Sequence, residues 1–450
     1  MTQGTLAPPA EAPVRLERHL TLWPLVLFGL AYISPFIVLT TFGVFSETSH
    51  GTLALSYAVA TVAMIFTAFS YGKLAHLYPV SGSAYAYASR TMDSRVGFMV
   101  GWATMLDYFF LPMVVWLIGT AYLEDEFPSV PGAAFLIGFI VLTTALNIVG
   151  ISLASNVNLI LIAYQMLVLV IFVGLSLYRI LSGARGHGMT MEPFWNDTST
   201  VAAVSAGAAM TAYSFIGFDA VSTFAEETKD PRTTVPRAIV LTAALAGVIF
   251  VAVAYVVQLV HPGGSFANPD SAAEDIAREI SGDFFAALFL ATVIIAQLTA
   301  GIPIQAAGAR LMYAMGRDGA LPKRLFGYLH PTRHTPVYNI LLTGAVGFVA
   351  LALSVSSSTS FINFGAFTAF AFVNISVIAQ YVRDRGTTPR PVLGWVVAPL
   401  IGLGVVIWLM THLSSDALTL GGIWAVIGFA WLTYLTKGFR VPPPHIEFEE

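Results

Sequence analysis

The sequence predicts an all-α membrane protein of twelve transmembrane helices. Three observations lead there: an apolar composition, twelve apolar runs of spanning length, and a lopsided distribution of lysine and arginine. Of the 450 residues, 56% are hydrophobic and only 10% charged, against roughly 45–50% and about 25% in soluble domains. Such a chain has too much apolar surface to enclose in one water-facing shell, so lipid must solvate part of it. The formal net charge of −4 gives no sign of a nucleic-acid partner. The absence of cysteine excludes disulfides, thiolate metal sites and cysteine nucleophiles. The first 20 residues are polar and rich in Pro and Ala, and the apolar run behind them is too long for the core of a cleavable signal.

The runs fall at residues 21–45, 53–75, 96–121, 132–150, 156–178, 200–224, 238–260, 284–309, 338–354, 359–381, 393–411 and 418–436. Each is close to the ~20 residues a helix needs to cross the hydrocarbon core. Twelve crossings place both termini on one side. With that side cytoplasmic, 18 of the 21 basic residues sit in the tails and even-numbered connections, and only Arg179, Arg185 and Arg278 lie opposite. This is the positive-inside asymmetry, and one missed helix would scramble it. The opposite face is acidic instead, in Glu124-Asp125-Glu126 and from Asp270 to Asp283, where a short amphipathic helix is expected. The organisation is one transmembrane domain, 21–436, between cytoplasmic tails 1–20 and 437–450, in the plasma or bacterial inner membrane.

Two of the runs are interrupted. The first contains Gly29 and Ser34-Pro35, and the sixth contains Gly217 within Ser214-Phe-Ile-Gly-Phe-Asp219. Paired broken segments in the two halves of a chain point to a transporter binding site. A helix broken at mid-membrane frees N–H and C=O groups, and a polar substrate can satisfy them. Structural Pro and Gly kinks are the competing reading, and a carboxylate beside the second break favours function.

Asp107 lies in mid-segment and Asp219 follows the break. A charge at mid-bilayer costs at least ~2.5–3.5 kcal/mol, so such residues face the bundle interior or a water cavity and mark a substrate or ion path. Asp219, Ser222, Thr223 and Glu226 stand at i, i+3, i+4 and i+7, which on an α-helix is one face descending to the cytoplasm. Pairing of Glu226 with Lys229 is the plainer alternative. No His-Glu-x-x-His, Gly-x-Ser-x-Gly or clustered His/Asp metal set occurs, so neither a catalytic constellation, a metal site nor a cofactor is expected.

Three stretches, in order, resemble the hallmarks of the amino acid–polyamine–organocation permeases. The first is Tyr71-Gly-Lys-Leu-Ala-His-Leu-Tyr-Pro79-Val-Ser-Gly82-Ser-Ala-Tyr85, with Gly97-Phe and Gly101-Trp102 behind it. The second is Gly217-Phe-Asp219 with Ala225-Glu226-Glu227-Thr-Lys-Asp-Pro231 and Pro236-Arg237-Ala238-Ile239. The third runs from Arg310 through Tyr313, Arg317-Asp318-Gly319 and Leu321-Pro322 to Thr335-Pro336. The resemblance implies a leucine-transporter-type core of five plus five inverted helices, two peripheral helices, alternating access, and a substrate held between the first and sixth helices. It assigns Arg310, Arg317 and Asp318 to structure or gating.

One departure bears on the substrate. Amino acid permeases of this superfamily carry a Gly-x-Gly turn in the first helix, whose N–H groups hold the α-carboxylate. Here the turn reads Gly29-Leu-Ala-Tyr32-Ile-Ser34-Pro35-Phe36, and proline brings no N–H. Anion-binding equipment is reduced while two membrane carboxylates remain, which suits a diamine. Leu30-Ala-Tyr-Ile-Ser-Pro35 and Leu106-Asp-Tyr108 look most like the putrescine importers of the superfamily. The expected site is Tyr32, Ser34, Asp107, Tyr108, Tyr213, Gly217, Phe218, Asp219 and Glu226, with Asp219 beside the break as principal cation anchor and the three aromatics Tyr108, Tyr213 and Phe218 flanking the methylene chain. Some relatives use a lysine of the fifth helix in place of sodium. The corresponding Leu161-Ile-Ala-Tyr-Gln165-Met-Leu has none, so proton symport is expected, with Asp107 and Glu226 as proton-coupling candidates. An amino acid permease or exchanger is the runner-up, and a nutrient sensor on a transporter scaffold the alternative of another class.

Overall fold

The computed structural model describes residues 20–79, 84–150, 155–183, 188–225, 227–317, 319–333 and 335–443. Glu226, Asp318, Gly82, Arg185 and the tail residues 1–19 and 444–450 lie outside the described residues.

The described residues fold into helices, with one isolated backbone bridge between Leu20 and Thr228 and no other strand pairing among them. The first run is α1 (Leu22–Ile33), α2 (Ile37–Thr40) and α3 (Phe42–Thr48). Then follow α4 (Leu53–Leu77), the short α5 (Ala84–Thr91), α6 (Ser94–Glu126), α7 (Gly132–Val149) and α8 (Ser155–Leu181). The sixth run begins as α9 (Val201–Thr211) and continues as 3₁₀ turns. Beyond it lie α10 (Pro231–Val260), α11 (Ala272–Ser281), α12 (Asp283–Arg317), α13 (Lys323–Phe326) and α14 (Val337–Val346). The last three are α15 (Val355–Arg383), α16 (Ala398–Met410) and α17 (Ser415–Leu435). Among the described residues, eleven segments are long and apolar enough to span a bilayer, and Val337–Ala352 is a shorter twelfth that ends in a 3₁₀ turn. The amphipathic helix expected between Asp270 and Asp283 is α11.

Small residues and polar side chains hold the helices together, as expected where lipid removes the hydrophobic drive between them. α4 and α10 approach so closely that a Cβ on Gly247 would stand 2.2 Å from Thr61 Cγ2. Asn147 of α7 donates to the Ile302 carbonyl at 3.1 Å and to Gln305 Oε1 at 2.9 Å on α12. α17 is fastened to α6 by two tryptophans. Trp102 Nε1 donates to the Trp424 carbonyl at 2.9 Å, Trp424 Nε1 donates back to the Trp102 carbonyl at 2.8 Å, and the rings stack at 4.9 Å.

The two breaks differ in kind. α1 ends at Ser34, which takes a left-handed φ of 52° ahead of Pro35. A non-glycine residue held there costs roughly 1–2 kcal/mol, and such strain clusters at functional sites. Gly29, expected to share in this break, lies inside continuous α1. A Cβ there would meet Val221 Cγ2 at 2.6 Å and Thr242 Oγ1 at 2.7 Å, so this glycine is a packing contact. The sixth run breaks at Gly217, whose φ of 106° favours glycine. Below it Phe218–Phe224 is a 3₁₀ helix, which repeats every three residues. The segment therefore lacks the α-helical period that the expected stripe needs, and at three residues per turn Asp219 and Ser222 share a face.

Candidate functional site

Both breaks open onto one cavity of about 120 Å³, walled by α1–α2, α6, α12 and the sixth run. Tyr32, Ser34, Asp107, Tyr108, Tyr213, Gly217 and Asp219 all line it, so seven of the nine expected residues converge. Phe218 does not. It is fully buried, with its ring 5.6 Å from that of Tyr71 and 5.3 Å from that of Phe370. One residue past a turn that presents Gly217 and Asp219 to the cavity, its side chain is directed into the bundle core.

The two carboxylates are in different situations. Asp219 stands at the start of the 3₁₀ helix, where N–H groups are free. Its carboxylate lies among the backbone N–H groups of its own turn and accepts from the hydroxyl of Tyr71 at 3.2 Å. Asp107 projects from unbroken α6, and its Oδ1 is buried with no hydrogen-bond partner. Of the two carboxylates expected to meet the cation, Asp107 is thus the one with an unpartnered oxygen. The carbonyls freed by the break belong to the turn before Gly217, while Asp219 faces the N–H groups after it. Among the described residues, no lysine, arginine or histidine lines the cavity.

Three residues that sequence reasoning passed over support the site. Tyr71, which opens the first motif, reaches Asp219 from α4. Gln165 of α8 receives a hydrogen bond from Ser34 Oγ at 3.4 Å and donates to Thr299 Oγ1 of α12 at 3.1 Å. The strained Ser34 is thereby linked to two other helices, and the absence of a lysine at this level leaves a polar amide rather than an apolar gap. Tyr57 and Ser214 share a buried hydrogen bond of 2.9 Å that holds the cavity-lining Ser214 from α4. Only the motif position of Tyr71 was a usable signal.

Gly217 is also a contact. A Cβ on it would stand 2.4 Å from Tyr32 Cδ1, so the two breaks touch through this pair. Beyond the cavity along α2 and α3, Phe36, Leu39, Phe42 and Phe45 are all fully buried. The start of α11 packs on α3, where a Cβ on Gly43 would meet Ala272 Cβ at 2.5 Å, and Phe266 ahead of it packs on Phe42. On the opposite side α1 leaves Leu27, Phe28 and Tyr32 exposed.

The amino acid permease family matches residues 25–414. The chain belongs to this family. Among its relatives, this permease is 39% identical over 445 residues, 98% of each chain, to the low-affinity putrescine importer PlaP of Escherichia coli. It is 26% identical over 438 residues, 92% of each chain, to the branched-chain amino acid permease BcaP of Bacillus subtilis. Against the human cationic amino acid transporter 4 it is 29% identical over 397 residues, 84% of this permease and 62% of that protein. The family places the permease among multi-pass membrane transporters, with the all-helical architecture and broken helix pair described above.

Proposed function

We propose that this permease imports a diamine such as putrescine, holding it in the central cavity and moving it by alternating access coupled to protons. The observation that carries this reading is the charge balance of the cavity, two carboxylates with no basic side chain among the lining residues. Two like charges in one small cavity call for cations. A diamine supplies two, and a proton with a monoamine supplies the same total. The unpartnered Oδ1 of Asp107 is the first anchor for an ammonium group, and Asp219 the second. Tyr32, Tyr108 and Tyr213 lie along the cavity to meet the methylene chain and offer cation–π contact. The putrescine importer at 39% identity supports the substrate class.

An amino acid is the second reading, supported by the amino acid transporters among the relatives. It is the weaker one, because Pro35 offers no N–H to an α-carboxylate at the first break.

Both termini lie in the cytoplasm, in keeping with the 18-to-3 distribution of basic residues. In that orientation the buried Phe36–Phe45 stretch closes the outer route, and the exposed side of α1 faces inward. An inside-negative membrane potential draws the dication in at ~2.3 kcal/mol per charge per 100 mV. Uptake into proteoliposomes tests the reading. Putrescine should accumulate with an inward proton gradient and without sodium, and alanine should compete poorly. Strict sodium dependence contradicts the coupling, and uptake of alanine with none of putrescine returns the permease to the amino acid class.

A further inference from the structure

We propose that the permease binds an anionic phospholipid, with its headgroup phosphate held at Trp395 by Lys73 and Arg390. The site lies away from the cavity, where the end of α4 meets the segment joining α15 to α16. The guanidinium of Arg390 sits 3.9 Å from the centre of the Trp395 ring, and the ammonium of Lys73 sits 5.8 Å from the same centre. Two cations thus share one indole. Asp384 answers one of them, accepting from Arg390 Nη2 at 2.6 Å. The other guanidinium nitrogen, Nη1, is buried with no hydrogen-bond partner. Lys73 donates to the Gly394 carbonyl, a neutral partner that leaves its charge unbalanced and two of its three donors for a ligand. The surroundings add positive charge: the Arg90 guanidinium lies 5.6 Å from the Tyr78 ring, and Arg383 Nη1 donates to the Arg90 carbonyl at 2.9 Å.

The backbone is unusual at the same place. Leu393–Val397 forms a π-helical turn at the start of the eleventh run, a rare geometry that recurs at functional sites. It carries Trp395 back to the two cations and turns apolar residues outward. Val392, Leu393, Val397 and Leu400 are 53%, 74%, 38% and 50% exposed, and they lead directly into the membrane-spanning α16. A phosphate would be met by the cations and an acyl chain by this apolar stripe. That continuity favours a phospholipid over a free phosphate. Tryptophan and basic residues at headgroup level are the expected furniture of such an interface.

The test compares thermal unfolding and lipid retention of the full-length protein in nanodiscs of phosphatidylcholine, with and without phosphatidylglycerol. Wild type should gain stability with phosphatidylglycerol and retain it in native mass spectrometry. Lys73→Gln should weaken retention roughly fivefold, the factor corresponding to about 1 kcal/mol for one basic residue at an anionic surface. Trp395→Leu should weaken it as well, and Arg324→Gln, an exposed arginine elsewhere on the same face, should behave as wild type. Equal retention by wild type and Lys73→Gln, or equal losses in Lys73→Gln and Arg324→Gln, would overturn the proposal. Saturation of the same stabilisation by inorganic phosphate in phosphatidylcholine alone would overturn the lipid assignment in favour of a free anion.

Discussion

The hydroxyl of Tyr71 donates to Oδ2 of Asp219 at 3.2 Å, joining the second span to the turn below the break in the sixth. This bond makes Asp219 a carboxylate already provided with donors, whereas Asp107 across the cavity keeps a free oxygen. Tyr71→Phe keeps the ring contacts to Tyr87, Phe218 and Phe370 and removes only this donor. A hydrogen bond to a charged group contributes about 1.5–3 kcal/mol, so uptake should fall by roughly tenfold or more in protein of unchanged monodispersity. Unchanged uptake would mean that the backbone alone positions Asp219.

Gly217→Ala should abolish most transport. The new Cβ meets Tyr32 at 2.4 Å, and the φ of 106° is strained for alanine. The clash is with a side chain and the strain is in the backbone, so the two can be separated. Adding Tyr32→Ala relieves the clash only. Full recovery of putrescine binding in the double variant would show that backbone strain at Gly217 is unimportant.

Glu274 supplies a pH dependence. Glu274 of α11 is buried, shares Arg278 with Glu126, Asp275 and Asp283, and its Oε2 has no partner. Burial, with the Glu126 carboxyl alongside, pushes Glu274 up to about 8 from an ordinary 4.5. Between those values the folded protein holds a proton that the unfolded chain has released, so stability falls as pH rises through the window. Thermal unfolding should therefore show lower stability at pH about 9 than at about 6, and Glu274→Gln should flatten that difference. An equal slope in the variant would remove Glu274 as its source.

How much of this was legible in the sequence differs from element to element. Spanning helices are written in composition and basic residues, and the Ser34-Pro35 break in a proline that cannot continue a hydrogen-bonded turn. Gly29 misled because glycine serves both to break helices and to let them touch, and only the neighbouring Val221 and Thr242 distinguish the two uses. The Asp219 stripe failed because an α-helical period was assumed for a 3₁₀ segment. Phe218 was misplaced for the same local reason, since a turn of unknown geometry gives no side-chain direction. Tyr71 and Gln165 lie 148 and 131 residues from Asp219 and Ser34, the groups they contact. Neutral polar residues at such separations carry no periodic signal.

The most direct measurement is the affinity of purified protein for putrescine, compared among wild type, Asp107→Asn and Asp219→Asn with folding checked by monodispersity. Asparagine keeps the volume and removes the charge. Loss of a charge-assisted bond of about 1.5–3 kcal/mol corresponds to roughly a ten- to hundredfold weaker affinity. Asp107→Asn should show that loss, and Asp219→Asn a smaller one, because the Asp219 carboxylate already has Tyr71 and its own turn as partners. Unchanged putrescine affinity in well-folded Asp107→Asn protein would contradict the claim that this cavity recognises a diamine by its carboxylates.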